Sequence, residues 1–231
     1  MVHLGLVEYR EAFALQERLR AARHAGDAGD TLLLLEHPPV YTRGRRPDPG
    51  GLPRGEAWYR EQGIDVVQTD RGGRVTYHGP GQLVGYPIMA AADVVGFVRT
   101  MERALVAALG DQGIAARTRT DDGPDYTGVW VGAAKIASIG LHVTHGITTH
   151  GFAVNVTNDL RPFDWVVACG LPEVRMTSVQ AQLGGDDPEL ATCFRKRVAH
   201  RFAEAHGLRQ RLDTPARLAR RLATTPAGAT I

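Results

Sequence analysis

Two cysteines, Cys169 and Cys193, are all that the 231 residues contain. They are too few for a disulfide framework, and without a CxxC pair they do not suggest a metal site. Long apolar runs are missing too. Leu32–Leu35 and Val94–Val98 are among the longest, far short of the ~20 residues that cross a bilayer. The opening residues, with Val2, His3, Leu4 and Glu8, lack the basic-then-apolar order of a signal peptide. These absences lead to an expectation of a soluble, cytoplasmic protein without membrane partners. The net charge of +2 leaves no electrostatic footprint for nucleic acid. Lysine is nearly absent: of 27 basic residues, only Lys135 and Lys196 are not arginine. Coding bias accounts for the arginine as a whole, but arginine is forked and always protonated, whereas lysine is compact and can lose its proton when buried. The two positions that kept lysine therefore invite attention.

What is present is ordinary globular composition, 43% apolar and 23% charged. It is enough for one domain over residues 1–231 with a sizeable core. No internal repeat or linker interrupts it. The pattern predicts strands at Val2–Val7, Thr31–Glu36, Ile64–Thr69, Arg74–Tyr77, Gln82–Ile88, Ile114–Arg119, Gly128–Val131, Lys135–Val143 and Gly151–Val156. Helices are expected over Tyr9–His24, over Asp93–Gln112 and over Pro188–His206, with a short basic helix after Thr214 that frays at its end. The middle one carries Val94, Phe97, Val98, Met101, Leu105, Ala108 and Leu109 at helical spacing. Arg43–Gly55, reading RGRRPDPGGLPRG, is a loop and the best candidate for a mobile segment. Strands outnumber helices without alternating with them, so the class is α+β with a mixed or antiparallel sheet.

Four segments carry polar groups able to do chemistry. Arg71–Pro87, RGGRVTYHGPGQLVGYP, combines two glycine turns with Tyr77 and His78. It reads either as a structural hairpin or as a strand–turn–strand unit presenting backbone N–H groups to a substrate. Lys135–Gly140, KIASIG, puts a lysine in a strand. If the strand is regular, Lys135 shares a face with Ala137, Ile139 and Leu141. It then either snorkels to solvent or sits in an apolar wall with a depressed pKa. Thr149–Asn155, THGFAVN, opens a strand with His150, a core histidine or a catalytic one. Ala168–Val179, ACGLPEVRMTSV, sets Cys169 in a Gly/Pro loop, with Thr177 and Gln180 as a capping box for a short helix. Cys193, beside Phe194 in the last helix, reads as a packing residue.

In this order and spacing, RGGRVTYHGPGQLVGYP, KIASIG, HGFAVN and the late ACG resemble the lipoyl(octanoyl) transferase family. EHPPVYT at 36–42 adds to the likeness, which covers about residues 2–180. The resemblance implies the biotin/lipoate protein ligase-like fold. It also implies transfer of an octanoyl group from octanoyl-acyl carrier protein, with acceptors in the lipoyl domains of 2-oxoacid dehydrogenase subunits and the glycine-cleavage H protein. Carried over by position, Cys169 matches the acyl-accepting nucleophile and Lys135 the lysine that lowers its pKa. Arg71, Gly72, Gly73, Arg74, Val75, Thr76, Tyr77 and His78 match substrate-lining positions. So do Ser138, Ile139 and Gly140, and Gly151, Phe152 and Ala153, with His150 and Asn155 in support. Ala168 departs from the proline usual before the cysteine, which bears on the rigidity of that loop.

The implied chemistry suits these residue types. A thiol with a pKa near 8.5 is only a few per cent ionised at neutral pH, and a neighbouring ammonium raises that fraction. Backbone N–H groups near Cys169 or in the Arg71–Val75 turn are candidate oxyanion donors. Val75, Ile139 and Val154 are candidates to line an acyl tunnel, and Arg43, Arg45 and Arg46 to meet an acidic carrier protein. No cofactor is implied. Three rivals stand beside this reading: an ATP-dependent lipoate or biotin ligase of the same fold, a lipoyl amidotransferase, and a non-catalytic carrier-protein binding module.

Overall fold

The computed structural model describes residues 1–167 and 173–224. Cys169 and the end of the tail lie outside the described residues. The chain runs β1 (Val2–Leu6), α1 (Tyr9–Ala25), β2 (Thr31–Glu36), β3 (Val40–Arg43), α2 (Glu56–Glu61), β4 (Asp65–Gln68), β5 (Thr76–His78) and β6 (Gln82–Ile88). It continues through α3 (Val94–Gly110), β7 (Gly128–Val131), β8 (Ala134–Thr144), β9 (Ile147–Asn155), α4 (Val179–Leu183), α5 (Leu190–Ala205) and α6 (Pro215–Thr224). A six-stranded sheet has the order β1-β2-β6-β9-β8-β7, parallel only between β1 and β2. A three-stranded sheet, β4-β3-β5, is also mixed. Both bear out the α+β expectation.

The leucine run of β2 shows why the large sheet is covered on both faces. Leu32 and Leu34 pack with α3 and α5, while Leu33 and Leu35 pack with α1 and α6. A strand buried on both sides reads as continuous apolar sequence rather than as alternation. Each such leucine contributes roughly 1.5–3 kcal/mol of burial. α3 starts where Asp93 accepts the Gly96 N–H at 3.0 Å, an N-cap at the edge of the expected range. The small sheet has its own aromatic core of Tyr41, Tyr59, Tyr77 and Phe163. Among the described residues no helix is long and apolar enough to cross a membrane.

Several expectations need correction. Ile114–Arg119 is not a strand: Ile114 N–H still bonds to Leu109 at the end of α3, and only Arg117 reaches the sheet edge, exchanging two 2.8 Å bonds with Trp130. The Arg43–Gly55 loop begins as β3 and is then tied down. Gly44, Arg45 and Arg46 N–H donate to Arg74, Arg71 and Gly73 carbonyls at 3.3, 2.9 and 3.1 Å. The short helix α4 is capped by Ser178, whose hydroxyl accepts from Ala181 N–H, rather than by a Thr177–Gln180 box. Cys193 is exposed on α5, because Phe194 and Val198 define the packed face and leave it outside.

Candidate active site

A cavity of about 240 Å³ opens beside the centre of the large sheet. A kink in β9 shapes its floor. His150 has φ of +58°, a conformation costly for a side chain with a Cβ. The twist turns its N–H out of the ladder to Gln16 Oε1 at 2.7 Å. The next residue must be glycine, since a Cβ on Gly151 would lie 2.1 Å from the Gly85 carbonyl oxygen. One position on, the Phe152 ring fills the space that a side chain at 85 would need. The apparent strand start at His150–Gly151 is therefore this kink, and β9 begins at Ile147.

The imidazole of His150 is buried against Phe13, their ring centroids 5.3 Å apart. Nε2–H donates to Asp70 Oδ1 at 2.6 Å, which leaves Nδ1 to face the Tyr9 hydroxyl at 3.4 Å. That hydrogen bond holds the Asp70 carboxyl below the usual carboxylate range, while burial pushes His150 down. Asp70 immediately precedes the Arg71–Arg74 turn, so the pair clamps this turn to the floor. Gly72 N–H completes the clamp by donating to Leu141 at 2.9 Å. Arg71 is spent internally: Nε and Nη2 bond to Thr42 and Nη2 also to the Arg74 carbonyl. With Val75 N–H directed to Asp48, Gly73 and Arg74 keep the N–H groups of this turn that have no acceptor among the described residues.

Lys135 is 2% exposed, which rules out snorkelling. The alternation behind that expectation fails because Val129 pairs with Ala137 but Trp130 with Lys135, leaving Ile136 as the extra residue of a bulge. Ala137 joins the buried core, while Lys135 lines the cavity together with Ser138, Ile139, Gly140 and Leu141. Its Nζ sits 5.3 Å from the Trp130 ring centre. Its stem passes Gly128, where a Cβ would come within 2.8 Å of Lys135 Cε. The Lys135 backbone is bridged to the segment that follows Cys169: Lys135 N–H donates to Arg175, and Thr177 N–H to Lys135, both at 2.9 Å. Asn155 supports the same segment, its Nδ2 donating to the Thr177 carbonyl at 3.0 Å while Oδ1 accepts from Gln82.

Of the positions marked from sequence, Arg71, Gly72, Gly73, Arg74, Thr76, His78, Lys135, Ser138, Ile139, Gly140, His150, Gly151, Phe152 and Ala153 line this one cavity. Val75 and Tyr77 do not; alternation along their strand turns them into the small-sheet core. Val154, expected in an acyl tunnel, is buried in the main core instead. Val94, Val98, Leu141, Tyr9, Tyr86 and Asp125 line the cavity without having been marked, and Arg46, marked for the carrier protein's surface, lines it as well. Val94 and Val98 belong to the apolar stripe of α3, and nothing local separates their cavity-facing role from packing. Among the described residues no group of three or more histidine, cysteine or acidic side chains is placed to hold a metal ion.

Beneath the floor His37 is fully buried, donating Nδ1–H to the Val7 carbonyl and accepting the Tyr86 hydroxyl at Nε2, both at 2.7 Å. Burial pushes its pKa down to about 4, and the neighbouring His78 well below 6.5. With folded values below the unfolded ones, the unfolded chain takes protons first. The stability contributed by neutral His37 is full above pH 6.5 and lost as pH falls toward about 4. At ~1.4 kcal/mol per pH unit this is roughly 3 kcal/mol from His37 alone. Denaturant titrations at pH 7 and pH 4.5 should show that loss, and His37→Gln should shrink it. An unchanged pH dependence in the variant would mean that other groups carry it.

Residues 8–203 match the lipoyl protein ligase A/B catalytic domain family. The chain is 40% identical to an octanoyltransferase of Acidobacterium capsulatum over 90% of its own length and 88% of that protein's. A Solibacter usitatus octanoyltransferase is 49% identical, covering 73% of this chain and 76% of its own. Among solved structures, lipoate-protein ligase A bound with ATP superposes with a TM-score of 0.78 at 20% identity, over 96% of this chain and 91% of that one. The Thermoplasma acidophilum bipartite lipoate protein ligase, described with its E2 lipoyl domain, gives 0.72 at 18%, over 96% and 89%. At these identities the structural likeness speaks for the biotin/lipoate ligase-like fold.

Proposed function

The chain belongs to the lipoyl protein ligase A/B catalytic domain family, and from that premise we propose that it is an acyltransferase of protein lipoylation, moving an octanoyl group onto a lysine of lipoyl domains. The donor in this reading is octanoyl-acyl carrier protein. The acceptors are lipoyl domains of 2-oxoacid dehydrogenase subunits and the glycine-cleavage H protein. The observation that carries the reading is a buried lysine in an apolar-walled cavity, hydrogen-bonded through its backbone to the segment just after Cys169. Relatives named octanoyltransferase across most of the chain support it.

The Cys169 thiolate attacks the donor thioester carbonyl, and the carrier thiolate leaves, taking up the proton of the Lys135 ammonium. The octanoyl-cysteine is then attacked by the acceptor lysine amine, which forms the amide, passes its proton to the neutral Lys135 and releases the Cys169 thiolate. Lys135, charged, stabilises the thiolate; neutral, it takes the proton of the incoming amine. Gly73 and Arg74 N–H are candidate donors to the tetrahedral oxygen. The chain lies along Val94, Val98, Ile139, Leu141 and Phe152. At about 0.8 kcal/mol per methylene, an eight-carbon acyl group offers roughly 5 kcal/mol there.

Exchange between thioesters is nearly balanced and aminolysis runs downhill, so transfer is expected without nucleotide. Octanoyl-carrier protein and an unmodified lipoyl domain, incubated with the enzyme and a chelator but no ATP, should yield the octanoylated domain by intact mass. Turnover that appears only with ATP would replace this reading with the ligase one. Donor binding without any octanoyl adduct would leave a binding module.

A further inference from the structure

The three arginines of the 43–46 segment have different surroundings. Arg43 pairs with Glu56 at 2.7 Å, away from the cavity, and Arg45 lies against His142. Arg46 alone of the three lines the main cavity, where it forms an ion pair with Asp125 on the opposite rim. Its backbone is tied to the Arg71–Arg74 turn by the 3.1 Å bond to the Gly73 carbonyl. Arg74 lies on the same rim. It gives Nη1–H to the Pro47 carbonyl at 2.9 Å, lies 3.9 Å from the Asp48 carboxylate, and keeps a buried Nε without a hydrogen-bond partner among the described residues.

We propose that Arg46, with Arg74 beside it, is an anion subsite that takes the phosphodiester of the donor's phosphopantetheine arm. This rests on the carrier-protein donor reading above. Because it lines the cavity at its rim, this guanidinium stands beside the mouth. It meets whatever enters behind the acyl chain. On the donor that is the thiol-bearing arm, whose anionic group is a phosphodiester. The acceptor's lysine side chain brings no anion. Asp125 pairs with Arg46, with both side chains more than a third exposed. Exposed pairs of this kind are weak, whereas guanidinium–phosphate contacts are charge-assisted and frequently bidentate. Exchange of Asp125 for phosphate is therefore favourable.

The test compares octanoyl-phosphopantetheine with octanoyl-pantetheine, identical except for the phosphate. Acylation by the full-length enzyme should favour the phosphorylated donor in kcat/KM by roughly ten-fold, and less at high salt. In Arg46→Ala that preference should collapse toward one, with Arg46→Lys intermediate. Asp125→Asn should raise kcat/KM for the phosphorylated donor. A preference that survives Arg46→Ala, or a wild-type enzyme indifferent to the phosphate, overturns the subsite and leaves the transferase standing. No acylation by either thioester overturns the transferase reading and the subsite with it.

Discussion

Cys169→Ala is expected to abolish both transfer and the octanoyl adduct, a loss of at least about a thousand-fold, as removal of a covalent nucleophile does in other enzymes. Cys193→Ala should stay within roughly a factor of two, the range of a surface change away from the site. Both residues are thiols and Cys193 is exposed, so accessibility alone does not separate them. Their surroundings do. Cys193 lies on the outer side of α5, remote in sequence and packing from the cavity. Cys169 is followed within a few residues by Arg175–Thr177, which pairs with the Lys135 backbone. Alkylation mapped by peptide mass therefore needs a pH series. In the proposed pairing with Lys135, Cys169 should react at lower pH than Cys193. An octanoyl group recovered on the Cys193 peptide, or full turnover by Cys169→Ala, would refute the assignment.

Elements were legible in the sequence where one periodicity ran long enough to be unambiguous. The helical stripe from Val94 to Leu109 and the buried run Thr31–Glu36 are such cases. β3 and α2 were not, because each is short and flanked by Pro or Gly that reads as loop. The site was legible as segments and not as geometry. Glycines at 140 and 151 mark backbone crowding, such as the 2.8 Å approach of a Gly140 Cβ to the Gly72 carbonyl. Tyr9, Tyr86 and Asp70 reach the same place from distant parts of the chain, through contacts with no local signature. Lys135 lies between these cases. Its residue type stood out against the arginine background, yet the bulge at Ile136 that shifts its register is one alternation cannot foresee.

The burial of Lys135 sets up the sharpest expectation, that Lys135→Arg is crippled although the charge is kept. Two causes act together. The first is space: Lys135 is 2% exposed, with its stem against Gly128 and its Nζ over Trp130. A planar, wider guanidinium must displace one of them. The second is proton transfer, since guanidinium does not deprotonate at any accessible pH. General base catalysis of the size usually found would make the loss about a hundred-fold or more. Single-turnover work separates the roles. If Lys135 only stabilises the thiolate, any Arg enzyme that folds should acylate Cys169 and pass the group on. If it also receives a proton from the acceptor amine, acylation persists while aminolysis stalls, and octanoyl-enzyme accumulates. Lys135→Ala should slow the first step as well, because the positive charge is gone. Lys196→Arg, exposed on α5, is the matched control and should be neutral. Near-normal turnover by a folded Lys135→Arg enzyme would show that a fixed charge suffices, and the proton-accepting role would have to be given up.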